Sequence, residues 1–174
     1  MDINIRKLIE LGAGKFEHLD STLITHIEST RCRLKEWNAD IPLQQAGLYY
    51  IAYLENEVNN SRAVAGLRNS VKEIVGTEVE TIIYYYYAWD KVTFMHQPIT
   101  SRECVFNNAI TGTQESIPYL LFCQLCELYA AIAIDNIHVE ETFSLEISSK
   151  YRRGLSSIMP YLSAPAKRKI TIME

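Results

Sequence analysis

From about Ser21 to Trp37, Leu23, Ile27, Thr30, Leu34 and Trp37 recur at three- and four-residue spacing. A helix turns about every 3.6 residues, so this spacing gathers them on one face and predicts a helix. A shorter stripe precedes it. Asp2 to Leu11 begins on a capping-type residue, carries Leu8, Ile9 and Leu11, and meets Gly12, an expected stop; Gly12-Ala13-Gly14 then reads as a flexible turn. Asn38-Ala39-Asp40 breaks the second helix, and Asp40-Ile41-Pro42 reads as a fresh entry with proline in the first turn. Leu43, Ala46, Gly47, Tyr50, Tyr53 and Leu54 then lie along one side, and Asn56 to Ser61 is a polar interruption. Val64 to Val75 is a helix closing at Gly76.

Thr77-Glu78-Val79-Glu80 offers a capping box, in which the Thr77 hydroxyl and Glu80 carboxylate satisfy each other's amides. The helix it opens carries Val79, Ile82, Ile83, Tyr86 and Tyr87 on one face, and the same spacing reaches Asp90. A carboxylate ending an apolar stripe points toward the interior, where it needs a partner. Between Lys91 and Thr113 the helical period fails; Val92 to Met95 and Cys104 to Phe106 read as short strands or as an ordered loop. Ser116 and Pro118 open a long apolar helix through about Asn136. A last helix runs from Ser144 to Ser163 and kinks at Pro160. The expectation is an all-α fold: one domain over residues 1–174, a single helical bundle of six or seven helices, with an irregular or two-stranded segment around 92–113.

The length of 174 residues fits one domain with a substantial core. A net charge of -4 argues against an extended nucleic-acid surface, which needs clustered Lys and Arg. The basic groups Arg152-Arg153 and Lys167-Arg168-Lys169 read as solvated helix ends and a tail. The N-terminal residues lack the layout of a secretory signal. Ile117 to Ile137 is long enough to span a bilayer but contains Gln124, Glu127 and Asp135, and each charge at a bilayer centre costs roughly 2.5–3.5 kcal/mol. A buried core helix in a soluble, cytoplasmic protein is the expectation. Cys123 and Cys126 form a C-x-x-C inside this helical run, with no second such pair to complete a zinc site. They read as buried, reduced core thiols.

Four histidines are present. His18 and His26 flank the start of the second helix, with His26 bordering the apolar stripe; His96 lies in the irregular region and His138 near a helix C-terminus. No H-x-x-x-H or H-E-x-x-H spacing joins them, and no standard phosphate-binding loop or nucleophile elbow occurs. The ordinary reading of His26 is a core-edge histidine and of His18 a loop residue. Tyr49, Tyr50, Tyr53 and Tyr84 to Tyr87 fit a core, or an aromatic pocket with hydroxyl donors.

Several blocks carry a resemblance. Gly12-Ala13-Gly14 with His18, Ser21 to His26, and Trp37 form the first; Ala46 to Tyr53 the second; Ile74 to Glu78 with Tyr87 to Lys91 the third. Leu125 to Ala131 and Met159 to Ser163 complete it, so the likeness covers most of the chain. Together they resemble a bacterial family of HD-domain-like helical proteins of unknown function. In the broader HD superfamily, an early histidine, a central His-Asp pair and a distal aspartate hold divalent metals that activate water for phosphoester cleavage. The resemblance implies that His26 matches the first histidine and Asp90 the distal aspartate. The central pair falls at Tyr50-Ile51, and an isoleucine cannot coordinate a metal.

Three functions follow as expectations. The first is a metal-independent protein of small-molecule metabolism, in which His26, Asp90, Tyr50 and His18 line a central pocket and His26 with Asp90 supplies acid–base chemistry. Its partner is a small-molecule ligand, with no nucleic acid, no membrane and no cofactor; a homodimer is a possible assembly. The second is a metal-dependent phosphohydrolase whose irregular divalent-metal site adds His18, His96 or Glu55. The third is a non-catalytic helical interaction protein.

Overall fold

The structure, a computed structural model, describes residues 2–13, 21–53, 61–91, 103–140 and 145–172. Among these are eight α-helices and one two-stranded antiparallel sheet. In chain order the helices are α1 (Ile3–Leu11), α2 (Ser21–Glu36), α3 (Ile41–Tyr49), α4 (Ser61–Val75), α5 (Thr77–Ala88), α6 (Tyr119–Glu140), α7 (Leu145–Ile158) and α8 (Ala164–Ile172). Strands β1 (Glu103–Asn107) and β2 (Gln114–Pro118) lie between α5 and α6.

Local chemistry sets the boundaries. The Asp2 carboxylate accepts from the amides of Asn4 and Ile5, and Gly12 closes α1 in a left-handed conformation, φ 71°. Asp40 caps α3 by accepting from Leu43 N at 2.9 Å. After Tyr49 the chain tightens into a 3-10 turn, Tyr50–Tyr53, and Leu43 and residues 46–53 are all buried. Gly47 lets α3 approach α2 closely: a Cβ there would stand 2.7 Å from Leu34 Cδ1.

The expected capping box of α5 does not form. Gly76 occupies the N-cap, leaving Thr77 as the first helical residue and Glu80 one position too deep to reach back. Glu80 instead turns inward and is fully buried, where Arg68 Nε (2.7 Å) and Nη2 (3.1 Å) and the Tyr53 hydroxyl (2.9 Å) bond to it. The Arg68 guanidinium also stacks 3.5 Å over the Tyr84 ring.

The two-stranded segment lies farther along the chain than expected. Cys104 to Phe106 does form a strand, whereas Val92 to Met95 lies outside the described residues. Ser116 to Pro118, read as helix entry, pairs with β1 in the register Val105↔Ser116 and Glu103↔Pro118. Asn108 makes the turn: its side-chain oxygen accepts from Ile110 N and Thr111 N, its amide donates to Tyr84 and Glu115, and Gly112 supplies φ 71°. At the other end of the chain, Pro160 ends α7 in a 3-10 turn, Met159–Tyr161. The segment read as a basic tail is then an eighth helix, α8, where Ser163 Oγ accepts from Ala166 N at 3.4 Å and Pro165 fits the first turn.

Helix α6 is the axis of the packing. It meets α2, α3, α5, α7, α8 and both strands, and residues 130–134 are buried throughout. By length and composition Tyr119–Ile137 could cross a membrane. In this fold 56% of the most apolar part of that stretch is buried, Leu120 stands exposed, and the charge at Asp135 has partners inside the protein. On its other side α7 comes close because Gly154 has no side chain, which leaves room for the ring of Tyr129.

Candidate functional site

The stripe of α2 buries Ile27, Thr30 and Leu34, and this fixes the direction of its neighbour. His26 sits at the edge of the stripe with its side chain 21% exposed, and its carbonyl accepts from the Thr30 hydroxyl at 3.0 Å. Its Nδ1 stands 3.5 Å from Oδ2 of Asp135 on α6. Tyr50, where α3 passes into its 3-10 turn, lies edge-on to the imidazole with ring centroids 6.1 Å apart. Tyr86 of α5 extends the stack by a further 6.1 Å.

The surroundings of Asp135 are lopsided. Oδ1 accepts from Arg33 Nη2 at 2.5 Å and from Ser29 Oγ at 3.2 Å. Arg33 uses its other terminal nitrogen on the carbonyl of Ala131, 2.8 Å away and one turn earlier on α6. Oδ2 is buried and takes no hydrogen bond, although Nδ1 of His26 faces it. Burial by itself raises this carboxyl, but His26 and Arg33, with a smaller part from Ser29, outweigh burial and hold Asp135 at about 2. At 3.5 Å the His26 contact is too long for a strong hydrogen bond, so Arg33 carries most of that effect. Asp135 is therefore a carboxylate at any ordinary pH.

Burial, then the charge of Asp135, pushes the Tyr50 hydroxyl well above the usual phenol range, so it stays a protonated donor. Neither that hydroxyl nor His26 Nε2 bonds to a described residue. An imidazole backed by an ionised carboxylate can accept and return a proton, and a neutral phenol beside it can donate a hydrogen bond.

Of the four residues singled out from the sequence, the structure brings His26 and Tyr50 together. Asp90 lies just past α5, half-buried, with its amide 3.5 Å from the Asn107 carbonyl, and the carboxylate standing against His26 is Asp135. His18, like His96 and Glu55, lies outside the described residues. Asp135 and Arg33 were not singled out as functional, yet a signal existed. Asp135 is a costly charge in the most apolar run of the chain, and such a charge must find a partner when that run is buried.

The donors at Tyr50 and Ile51 do not fit a divalent metal. Ile51 is a fully buried hydrocarbon and Tyr50 is held as a neutral phenol. Among the described residues no three His, Cys, Asp or Glu side chains gather closely enough to hold a metal ion. The C-x-x-C thiols are free: Cys126 is buried and Cys123 half-buried, and burial raises both, as it raises Cys104 to about 11. Protonated, enclosed thiols are poor nucleophiles. A groove of about 380 Å³ between α3, α5 and α6 is lined by Asp40, Thr81, Ile82, Leu121 and Gln124 among others; His26, Tyr50 and Asp135 take no part in it.

These features define a mostly helical protein with a half-buried imidazole–carboxylate pair at the junction of α2, α3 and α6. Residues 7–91 match the model of a family described as a domain of unknown function (DUF6817), just under half of the chain. The matched stretch runs from α1 to just past α5 and so contains His26, Arg33 and Tyr50, while Asp135 falls beyond it. No curated protein and no solved structure matches the chain.

Proposed function

We propose that this protein binds a small molecule of metabolism, and transforms it by acid–base chemistry without a resident metal, at His26 with Asp135 behind it and Tyr50 beside it. The scaffold of this reading is an HD-domain-like bundle in which the metal chemistry has gone. One observation carries it: Asp135 directs an otherwise unbonded carboxylate oxygen at Nδ1 of an imidazole whose Nε2 bonds to no described residue. A carboxylate in that position orients and stabilises the charged ring, which is what a general base needs.

The test is a metabolite screen read by ligand-induced thermal stabilisation, repeated on His26→Ala and Tyr50→Phe. The expected result is a hit whose stabilisation disappears in His26→Ala, while the ligand-free melting temperature and circular dichroism stay close to wild type. If His26→Ala loses its fold in step with its binding, the imidazole is a structural residue and the protein is better read as a helical interaction module. A second reading has one observation in its favour, because a carboxylate behind a histidine is also how metal-ligating imidazoles are oriented. Stoichiometric Fe, Mn, Zn or Mg in protein purified without chelator would support that metal-dependent phosphohydrolase instead.

A further inference from the structure

The two oxygens of Asp135 have divided environments. Both side-chain hydrogen bonds to this carboxylate, from Arg33 and Ser29, end on Oδ1, and the bond from Arg33 to the Ala131 carbonyl fixes the guanidinium against the same helix. Oδ2 is buried, accepts nothing, and faces Nδ1 of His26 at 3.5 Å. A lone pair on Nδ1 would repel an anionic oxygen at that distance, whereas an N–H there attracts it. The preference is enlarged because both groups are largely withdrawn from water, with side chains 21% and 14% exposed.

We infer that Arg33 and Ser29 are positioning residues that, through Asp135, hold neutral His26 in the tautomer protonated at Nδ1, so that the site offers its ligand the lone pair of Nε2. The chemical class that follows is a ligand presenting a hydrogen-bond donor, a hydroxyl or an N–H, to that lone pair. Tyr50 then supplies the complementary donor, since its hydroxyl stays protonated and bonds to no described residue. A hydroxyl group, being donor and acceptor at once, satisfies both. This deepens the function proposed above and rests on it only for the ligand; the tautomer is measurable with no ligand present.

The experiment is a long-range proton–nitrogen correlation spectrum of nitrogen-15-labelled protein at a pH where His26 is neutral. It is recorded for wild type, Arg33→Met, Arg33→Lys, Ser29→Ala and Asp135→Asn. In wild type the His26 Nδ1 resonance is expected at the protonated position and Nε2 at the unprotonated one. Arg33→Met and Asp135→Asn should lower the ratio of the Nδ1–H to the Nε2–H form about two- to fivefold, less than a full charge-assisted hydrogen bond would carry because the His26–Asp135 contact is 3.5 Å long. Arg33→Lys should restore part of it, which a purely structural role would not produce.

Should Arg33→Met fail to fold, the milder Ser29→Ala still has to shift the ratio in the same direction. A wild-type imidazole protonated at Nε2, or a ratio indifferent to Ser29 and Asp135, overturns the inference. Reaction of His26 with diethylpyrocarbonate, read by mass spectrometry, gives the independent check that the imidazole presents an accessible lone pair. The wild-type tautomer without any metabolite hit would refute the functional proposal alone, and the reverse pattern would refute only the positioning role.

Discussion

Replacing Asp135 by asparagine keeps the shape of the side chain and an oxygen for Arg33 while removing the charge. In the fold this carboxyl lies at about 2, against an ordinary 3.8. A lowered acid constant contributes stability that is fully present above the unfolded value and is lost as pH falls through the folded one. At about 1.4 kcal/mol for each tenfold change in acidity, the difference corresponds to roughly 2 kcal/mol. Because the side chain is 14% exposed, screening by water trims this, to about 1–2 kcal/mol. At neutral pH Asp135→Asn should therefore melt roughly 2–8 °C below wild type, for a domain of this size. The gap should narrow as the medium is acidified, with about half of it gone near pH 3. Paired urea titrations followed by circular dichroism at several pH values measure this directly, because shared acid effects cancel between the two proteins. A gap that stays constant from neutral pH to about pH 3 would refute the reasoning, since the charge of Asp135 would then contribute nothing.

Three other outcomes are expected. Arg68→Met should destabilise the protein by about 3–5 kcal/mol, because it leaves the fully buried Glu80 with only Tyr53 and a distant Lys72, 3.7 Å away. Glu80→Gln, which keeps the bond to Tyr53 and frees a half-buried guanidinium to find water, should cost clearly less, about 1–2 kcal/mol, and urea denaturation of the pair gives the comparison. Gly154→Ala should lower stability by about 1–3 kcal/mol despite the better helix propensity of alanine, because the new methyl group meets Tyr129 Cζ at 2.9 Å and a rigid ring cannot bend away; a thermal melt reads it. In the native state a thiol reagent should label exposed Cys32 first and Cys123 slowly, sparing Cys104 and Cys126 until the chain unfolds, as mass spectrometry of timed samples will show.

Most of the helical layout is legible in the sequence, because it rests on interactions between residues near each other in the chain. The stripe of Ile27, Thr30 and Leu34, the cap at Asp40 and the stop at Gly12 each depend on side chains within about a turn of the backbone they govern. Where a distant partner competes with a local signal, the local pattern does not decide the structure. Thr77 and Glu80 have the spacing of a capping box, but the first helical position was set by Gly76 and Glu80 was claimed by Arg68, twelve residues earlier. Ser116 to Pro118 looked like a helix entry and became a strand because β1 was there to pair with it.

By itself, then, the sequence determined that the protein is mostly helical, where most helices begin and end, and that His26 borders a buried face. Periodicity and capping act over a few residues, and a linear chain displays them in full. Tertiary structure alone decided which carboxylate stands against His26. The partner, Asp135, lies more than a hundred residues away on another helix, and only the packing of α2 on α6 brings the two to 3.5 Å. Such a meeting is fixed by how helices dock, which depends on side-chain shape across the whole core and leaves no periodic trace in the chain.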